Sequence, residues 1–375
     1  MKIAYVAPYS SNFPSRDANS IHMMHMCEAF AKIGHDVSLV ISSRGAKQAD
    51  IFEHYGINLC FSIRQLSVPQ IKGKKALYCH QALMGTCRLK PDMVVGRSVH
   101  VCALAALWGL PVIYDAHAPV WEKSNLDYLA FQILRRSKKL LRMTTNSSAL
   151  KYLCIQAGQQ PRTEIVVANN GSSEFPGDEF PPSWPGRDGA FQVGYMGHLY
   201  SGRGVEIIIA CAEQLPEMDF HIVGGHDRDI EHWKSLTALP NLFFHGFVKH
   251  SEIHKYRNQC DVLLAPYMSR GVAMAGGSGD QSRYMNPIKI IEYMSTRKPI
   301  IASDLPVLRE VLADGRNALL CDPEDVSAWC YALKRLAEDA KLADRLARAA
   351  YGDFIQNYTW QARARRLIGE RVLHV

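Results

Sequence analysis

Lys289 and Glu292 stand three residues apart in the run Asn286-Pro287-Ile288-Lys289-Ile290-Ile291-Glu292-Tyr293-Met294. On a helix this spacing presents a cation and a carboxylate to the same space, while Ile288, Ile291 and Met294 form another face. Pro287 suits a first helical position, where its missing N–H does no harm. A helix start also favours an anion, through its free N–H groups and its dipole. The sequence leaves two roles open for Lys289, a phosphate contact or cover for the outer helix face. A second constellation, Gly197-His198-Leu199-Tyr200-Ser201-Gly202-Arg203-Gly204, follows a strand pattern and precedes a helix near Val205. Its backbone N–H groups and Arg203 can meet a diphosphate. His117 closes the run Pro111-Val112-Ile113-Tyr114-Asp115-Ala116-His117. Ligands of open α/β sheets gather at such strand ends. Asp115, two residues earlier, is expected to face the other way and to stand outside the site. Gly276-Gly277-Ser278-Gly279 can cradle phosphate or sugar, or can form a lid with no direct contact.

These groups need a scaffold, and the chain alternates strand and helix patterns. Ile3–Ala7, Val37–Ile41, Met93–Val95, Pro111–Tyr114, Met143–Asn146 and Ile165–Ala168 read as strands of a first half. A helix with Met23, Cys27, Phe30 and Ala31 on one face, capped by Asn19 or Ser20, joins the first two. Residues 172–190 shift to Ser, Glu, Pro and Gly, with Pro176, Pro181, Pro182 and Pro185 close together, and read as a linker. The alternation restarts with Phe191–Met196 and continues through Asp219–Val223, Leu242–His245, Val262–Ala265 and Ile300–Ala302. This predicts two α/β domains with parallel sheets. The first strand-to-helix loop lacks G-x-G-x-x-G, which sets aside a dinucleotide-dependent oxidoreductase.

The form Pro-x-Lys-x-x-Glu-Tyr-Met followed by Lys-Pro-Ile-Ile-Ala-Ser resembles the donor-binding segment of glycosyltransferase family 4, retaining enzymes of the GT-B fold. The resemblance implies two Rossmann-like βα domains facing a central cleft, residues 1–180 on the acceptor side and 186–357 on the donor side. It also implies that a basic helix in 358–375 crosses back to the first domain. Arg203 falls on the family's loop lysine, among Gly197, Gly202 and Gly204. Arg203 and Lys289 would then neutralise a leaving diphosphate, while Glu292 and Ile288 hold the nucleotide and Glu292 accepts from the ribose diol. The backbone at Val248 would hold the base edge, and His117 would bond a donor-sugar hydroxyl. The family carries two glutamates with seven residues between them, but the first falls on Tyr284, so Gly277, Ser278 and Asp280 are taken as donor-sugar contacts. No dedicated nucleophile, no cofactor and no essential metal are expected. The implied partners are a nucleotide-diphosphate sugar and a glycan or lipid-linked acceptor, as in surface polysaccharide or glycolipid synthesis. Two rivals are a nucleotide-sugar-binding subunit without turnover and a nucleotide-sugar epimerase of the same fold.

The totals fit this reading. The 375 residues are 47% hydrophobic and 21% charged, as in a globular chain of two domains. No apolar run is long enough to span a bilayer, no export signal is expected, and the ten cysteines show no Cys-x-x-Cys pair. A cytoplasmic protein with reduced thiols is expected. The net charge of +7 arises in residues 1–185, which hold 20 Lys+Arg against 13 Asp+Glu, whereas residues 186–375 balance at 23 and 23. Arg135, Lys138, Lys139 and Arg142, with Arg136 alongside, are spaced as one face of an amphipathic helix. That face suits either peripheral contact with an anionic membrane or a core-packed helix with a solvated charged side; the absence of interleaved aromatics argues against nucleic acid.

Overall fold

The computed structural model describes the whole chain except residues 16, 43–44, 70, 175–178, 182, 274–278 and 370–375. Two compact units emerge: Met1–Gly171 with Trp360–Val375, and Ser172–Thr359. Their central strands are short apolar runs buried on both faces, the pattern of parallel sheets covered by helices.

In the first unit β1 (Lys2–Val6), β2 (Asp36–Ser42), β3 (Ser62–Leu66), β4 (Met93–Gly96), β5 (Val112–Ala116), β6 (Leu140–Thr145) and β7 (Ile165–Val167) form one sheet. Its order is β3-β2-β1-β4-β5-β6-β7, and every pairing is parallel. The helices between them are α1 (Ala18–Lys32), α2 (Gln48–Tyr55), α3 (Lys74–Leu89), α4 (Val99–Leu107), α5 (Asn125–Arg136) and α6 (Ser148–Gln156). Strand order reverses between β1 and β4, which makes the carboxyl ends of β1, β4 and β5 the natural ligand position.

The second unit repeats the plan with β8 (Gln192–Met196), β9 (Asp219–Val223), β10 (Leu242–Gly246), β11 (Val262–Ala265), β12 (Ile300–Ser303) and β13 (Leu319–Cys321). Their order is β10-β9-β8-β11-β12-β13, again all parallel, with the reversal between β8 and β11. The accompanying helices are α7 (Val205–Gln214), α8 (Asp227–Leu236), α9 (Ile253–Gln259), α10 (Ile288–Met294), α11 (Val326–Glu338) and α12 (Ala340–Asn357). The core between β8, β9, α7 and α11 is built from Val193, Phe220, Ile208, Trp329 and Leu333, all at most 1% exposed. After α12 the chain returns to the first unit as α13 (Trp360–Ile368), which lies against α1.

Three expectations change. Arg135, Arg136, Lys138, Lys139 and Arg142 do not share a helix face: α5 ends at Arg136, Ser137 is extended, and Arg142 lies within β6. The pull of β5 on Leu140–Thr145 as a paired strand overrides the helical spacing. The arginines also have local duties. Arg135 donates to Gln132 Oε1 (2.7 Å) and the Gln160 carbonyl (2.7 Å), Arg136 to the Gln132 carbonyl, and Arg142 to the Arg366 carbonyl (3.0 Å). Second, the described part of residues 172–190 is no free linker. The Trp184 ring stacks on His221 with centroids 3.9 Å apart and donates to Gln192 Oε1 at 3.0 Å, and Arg187 pairs with Asp219 at 2.7 Å. Third, Asp17 rather than Asn19 or Ser20 precedes α1, and no side chain caps that helix.

Candidate functional site

In the second unit the loop after β8 is shaped by glycines. Gly202 and Gly204 hold φ of +77° and +71°, a region costly for residues with a Cβ. A Cβ on Gly204 would lie 1.6 Å from the Pro266 carbonyl oxygen, and one on Gly202 would lie 2.6 Å from that of Gly271. The loop is therefore pressed against the chain that leaves β11. Backbone bonds seal the contact, Met268 N–H to Gly202 (3.0 Å) and Ala273 N–H to Ser201 (3.2 Å). Gly197 yields room to Lys289, whose Nζ would be 2.8 Å from an added Cβ. These close approaches bring α7, opened by Gly204, and α10 to the switch point of the sheet.

Two cations converge there. Lys289 Nζ lies 3.6 Å from the Tyr195 ring centroid and 5.3 Å from that of Tyr267; the Arg203 guanidinium carbon is also 5.3 Å from Tyr267. Arg203 donates to the Ala273 carbonyl at 2.8 Å, while its Nε is buried without a partner among the described residues. Neither cation forms an ion pair among the described residues. Burial first, and Arg203 second, push the Lys289 ammonium well below its usual pKa. An anion with several oxygens would satisfy both groups and favour the charged form of the lysine.

Glu292 sits one helical turn from Lys289 but already accepts from Arg257 Nη2 at 2.6 Å, with His250 at 3.8 Å. Its carboxylate has further acceptor positions for a diol. Pro287 precedes α10 as its cap, with extended backbone, so Ile288 rather than Pro287 opens the helix, half-buried. Val248 lies two residues beyond β10, half-buried. Asp280 is exposed and closes its own loop, accepting from the N–H groups of Gly271, Val272 and Ser282 at 2.8–3.1 Å. Gly277 and Ser278 lie outside the described residues. Tyr284, where the first glutamate was expected, is buried.

The first unit holds a separate cluster at the carboxyl ends of β4, β5 and β6. Asp115, fully buried, accepts from Thr144 Oγ1 (2.7 Å), from Arg363 Nη2 through both oxygens (2.9 and 3.1 Å), and contacts His117 Nε2 at 3.0 Å. Asp115 thus corrects the expectation that it faces away from His117: residues i and i+2 of an extended strand share a face. Burial alone would raise the Asp115 pKa, but Arg363 and His117 hold it well below the usual carboxylate range. Burial and the nearby Arg97 guanidinium lower His117 to about 4, so its imidazole is neutral at pH 7. His22, also buried and neutral, meets the His117 ring edge-on at 4.8 Å. Ligand atoms of His22, Asp115 and His117 lie within 4.8 Å of one another. The set suits no cation, because Arg363 already fills the carboxylate and Arg97 adds a second positive charge. Sequence reasoning missed Asp115, Arg97, His22 and Arg363. Only Asp115, through its period-two relation to His117, had a readable signal.

Comparison with known proteins gives a consistent picture. Residues 190–339 match the family model described as glycosyl transferases group 1. A glycogen synthase of Mycobacterium tuberculosis is 24% identical over 91% of this chain and 87% of its own length. A phosphatidyl-myo-inositol mannosyltransferase of Mycolicibacterium smegmatis is 25% identical over 96% of this chain and 90% of its own. Among solved structures, Anabaena Alr3699/HepE in complex with UDP and glucose superposes with a TM-score of 0.72 at 17% identity, over 100% of both chains. Staphylococcus aureus TarM, at 8% identity, still gives 0.70 over 100% of both.

Proposed function

We propose that this chain of the GT-B fold is a glycosyltransferase, of the retaining, family 4 hexosyltransferase type. It would move a sugar from a nucleotide-diphosphate donor to a glycan or lipid-linked acceptor in surface polysaccharide or glycolipid synthesis. The observation that carries this reading is the pair Arg203 and Lys289. Two half-buried cations share the Tyr267 ring beside the starts of α7 and α10, and neither is ion-paired among the described residues. That arrangement suits a diphosphate before and after its bond to the sugar breaks. Stabilising the leaving diphosphate with fixed cations is the work a divalent ion does elsewhere, so the proposal includes no essential metal. In the second unit Glu292 takes the ribose diol, Ile288 and the backbone at Val248 border the nucleoside, and Gly197, Gly202 and Gly204 let the loop backbone approach the phosphates. Asp280, with Gly277 and Ser278, contacts the donor sugar. In the first unit His117 bonds a sugar hydroxyl. UDP-glucose and UDP, named for the complexes of Alr3699/HepE, make uridine donors the first to try.

Thermal unfolding against a panel of nucleotide-diphosphate sugars tests this. A donor at a hundred times its Kd should add about 2.7 kcal/mol of stability, and Arg203→Ala and Glu292→Ala should each abolish the shift. No shift with any donor, from folded protein, would remove the reading's support. The product anomer, read by NMR, tests retention. A cytoplasmic location with peripheral contact at an anionic membrane face belongs to the same proposal. It is supported by the +7 excess of residues 1–185 rather than by a helix face. Salt-sensitive co-sedimentation with anionic vesicles should follow, and its absence at low salt would exclude the contact.

A further inference from the structure

His117 carries one hydrogen on two ring nitrogens, and its role depends on which. Its Nε2 lies 3.0 Å from Asp115 Oδ2 and 3.5 Å from Arg363 Nη2. Ionised Asp115 can only accept and arginine can only donate. The shorter contact therefore decides that Nε2 bears the hydrogen and points it at the carboxylate. Arg363 satisfies the same carboxylate through both oxygens, and Thr144 Oγ1 adds a third donor to Oδ1. Asp115 is thus gripped from β6 and α13 and cannot rotate away from the imidazole. The other ring nitrogen, Nδ1, has no hydrogen-bond partner among the described residues, and the His117 side chain keeps 14% of its surface exposed.

We propose that Asp115 and Arg363 are positioning residues that hold the His117 hydrogen on Nε2, leaving Nδ1 as an acceptor for a sugar hydroxyl. The role of His117 toward sugar rests on the proposed function above; the assignment of its hydrogen does not. The consequence for recognition is definite. His117 accepts from an O–H and offers that hydroxyl no donor, so a substrate bearing a deoxy or fluoro carbon at that position loses the bond, because neither C–H nor fluorine donates to Nδ1. The seat of Arg363 also matters. It lies on α13, anchored where the Trp360 ring stacks on His25 at 5.5 Å and meets His22 edge-on at 5.3 Å. The last helix of the chain thereby reaches a substrate-contacting histidine through one carboxylate.

The test uses the full chain labelled with ¹⁵N-histidine, with the His117 resonances assigned by His117→Gln. Two-bond ¹H–¹⁵N spectra between pH 6 and 8 should show a protonated Nε2 and a bare Nδ1. A hydrogen on Nδ1 would overturn the proposal without touching the transferase reading. In Asp115→Asn the amide can donate to Nε2, and the hydrogen should move to Nδ1. With the donor that the stability panel identifies, kcat should fall about 10- to 100-fold while the thermal shift given by donor is kept. Arg363→Lys should keep the tautomer and most of kcat, because it retains a cation at Asp115; Arg363→Gln should lose part of both. If Asp115→Asn fails to fold, the wild-type spectrum and the Arg363 pair still decide the assignment. A displaced hydrogen with unchanged kcat would overturn the positioning role. Unchanged kcat in His117→Gln would instead overturn the function assigned to His117 and leave the tautomer assignment standing.

Discussion

Lys289 owes its chemistry to what surrounds it rather than to its own type. Burial and, after it, the neighbouring Arg203 make its ammonium expensive to keep charged, which lowers its pKa well below the usual lysine range. A bound diphosphate reverses that balance, so donor binding should take up a proton wherever the free lysine is partly neutral. Calorimetry in buffers of different ionisation enthalpy should detect this uptake, and Lys289→Met should remove it while weakening donor binding. Proton uptake unchanged in the variant would refute the assignment. The histidines make a second argument at this scale. His117 and His245 are lowered to about 4 and His221 to about 3, all chiefly by burial, against an unfolded value near 6.5. The unfolded chain therefore binds more protons than the folded one as pH falls below about 6.5, and the stability these groups contribute is lost progressively between there and about pH 4 for His117 and His245, and about pH 3 for His221. Urea midpoints should drop across that window, and His221→Phe, which cannot protonate against Trp184, should flatten the drop; an equally steep loss would sink the attribution. Residue types near the site were legible in sequence where one turn of helix or one loop gathered them, as with Lys289, Glu292 and Arg203. Arg363 was not, because its partner Asp115 is distant in sequence and nothing local marks a buried guanidinium.

At the scale of elements, the strands were the most readable part. Short Val- and Ile-rich runs bounded by turn residues have few other uses in a chain of this composition. β3 and β13 escaped notice: Ser62–Leu66 is only half-buried and Leu319–Cys321 is three residues long. The basic face assigned to residues 135–142 shows why periodicity alone misleads, since a helical spacing of charges persists across a helix end and into β6. The place of the loop between β8 and α7 is legible in the sequence, but its constraint is steric. Gly204→Ala places a methyl against the Pro266 carbonyl and also forces a left-handed residue, so unfolding of the second unit should become easier by about 3 kcal/mol. Gly189→Ala is the matched control. It shares the left-handed backbone, at φ +78°, but its added carbon meets nothing within 4 Å, so only the conformational cost of about 1–2 kcal/mol applies. Equal losses in urea unfolding for the two variants would show that the close approach to Pro266 does not constrain the loop.

The molecule as a whole is a chain that leaves its first unit at Gly171, builds a second, and returns at Trp360. That path makes the first unit discontinuous and dependent on its last element. α13 covers α1 through Trp360, over which a Cβ on Gly171 would come within 2.8 Å, and it supplies the only arginine hydrogen-bonded to buried Asp115 among the described residues. Ending the chain at Thr359 would leave that carboxylate buried without its cation, and removing one partner of a buried pair costs about 3–5 kcal/mol before any loss of apolar contact is counted. The second unit, Ser172–Thr359, keeps every strand and its own core in such a truncation. Hydrogen exchange followed by mass spectrometry should therefore show faster exchange in β1, β4 and β5 and unchanged protection in β8, β9 and β11. Donor-induced stabilisation, which the proposed function assigns to Arg203, Lys289 and Glu292 of the second unit, should survive, while sugar transfer should be lost. Loss of protection in both units alike would mean that the terminal helix supports more than the unit it returns to. Intact protection in β5 would mean that Asp115 does not need Arg363, and with it the route from the end of the chain to His117 would fail.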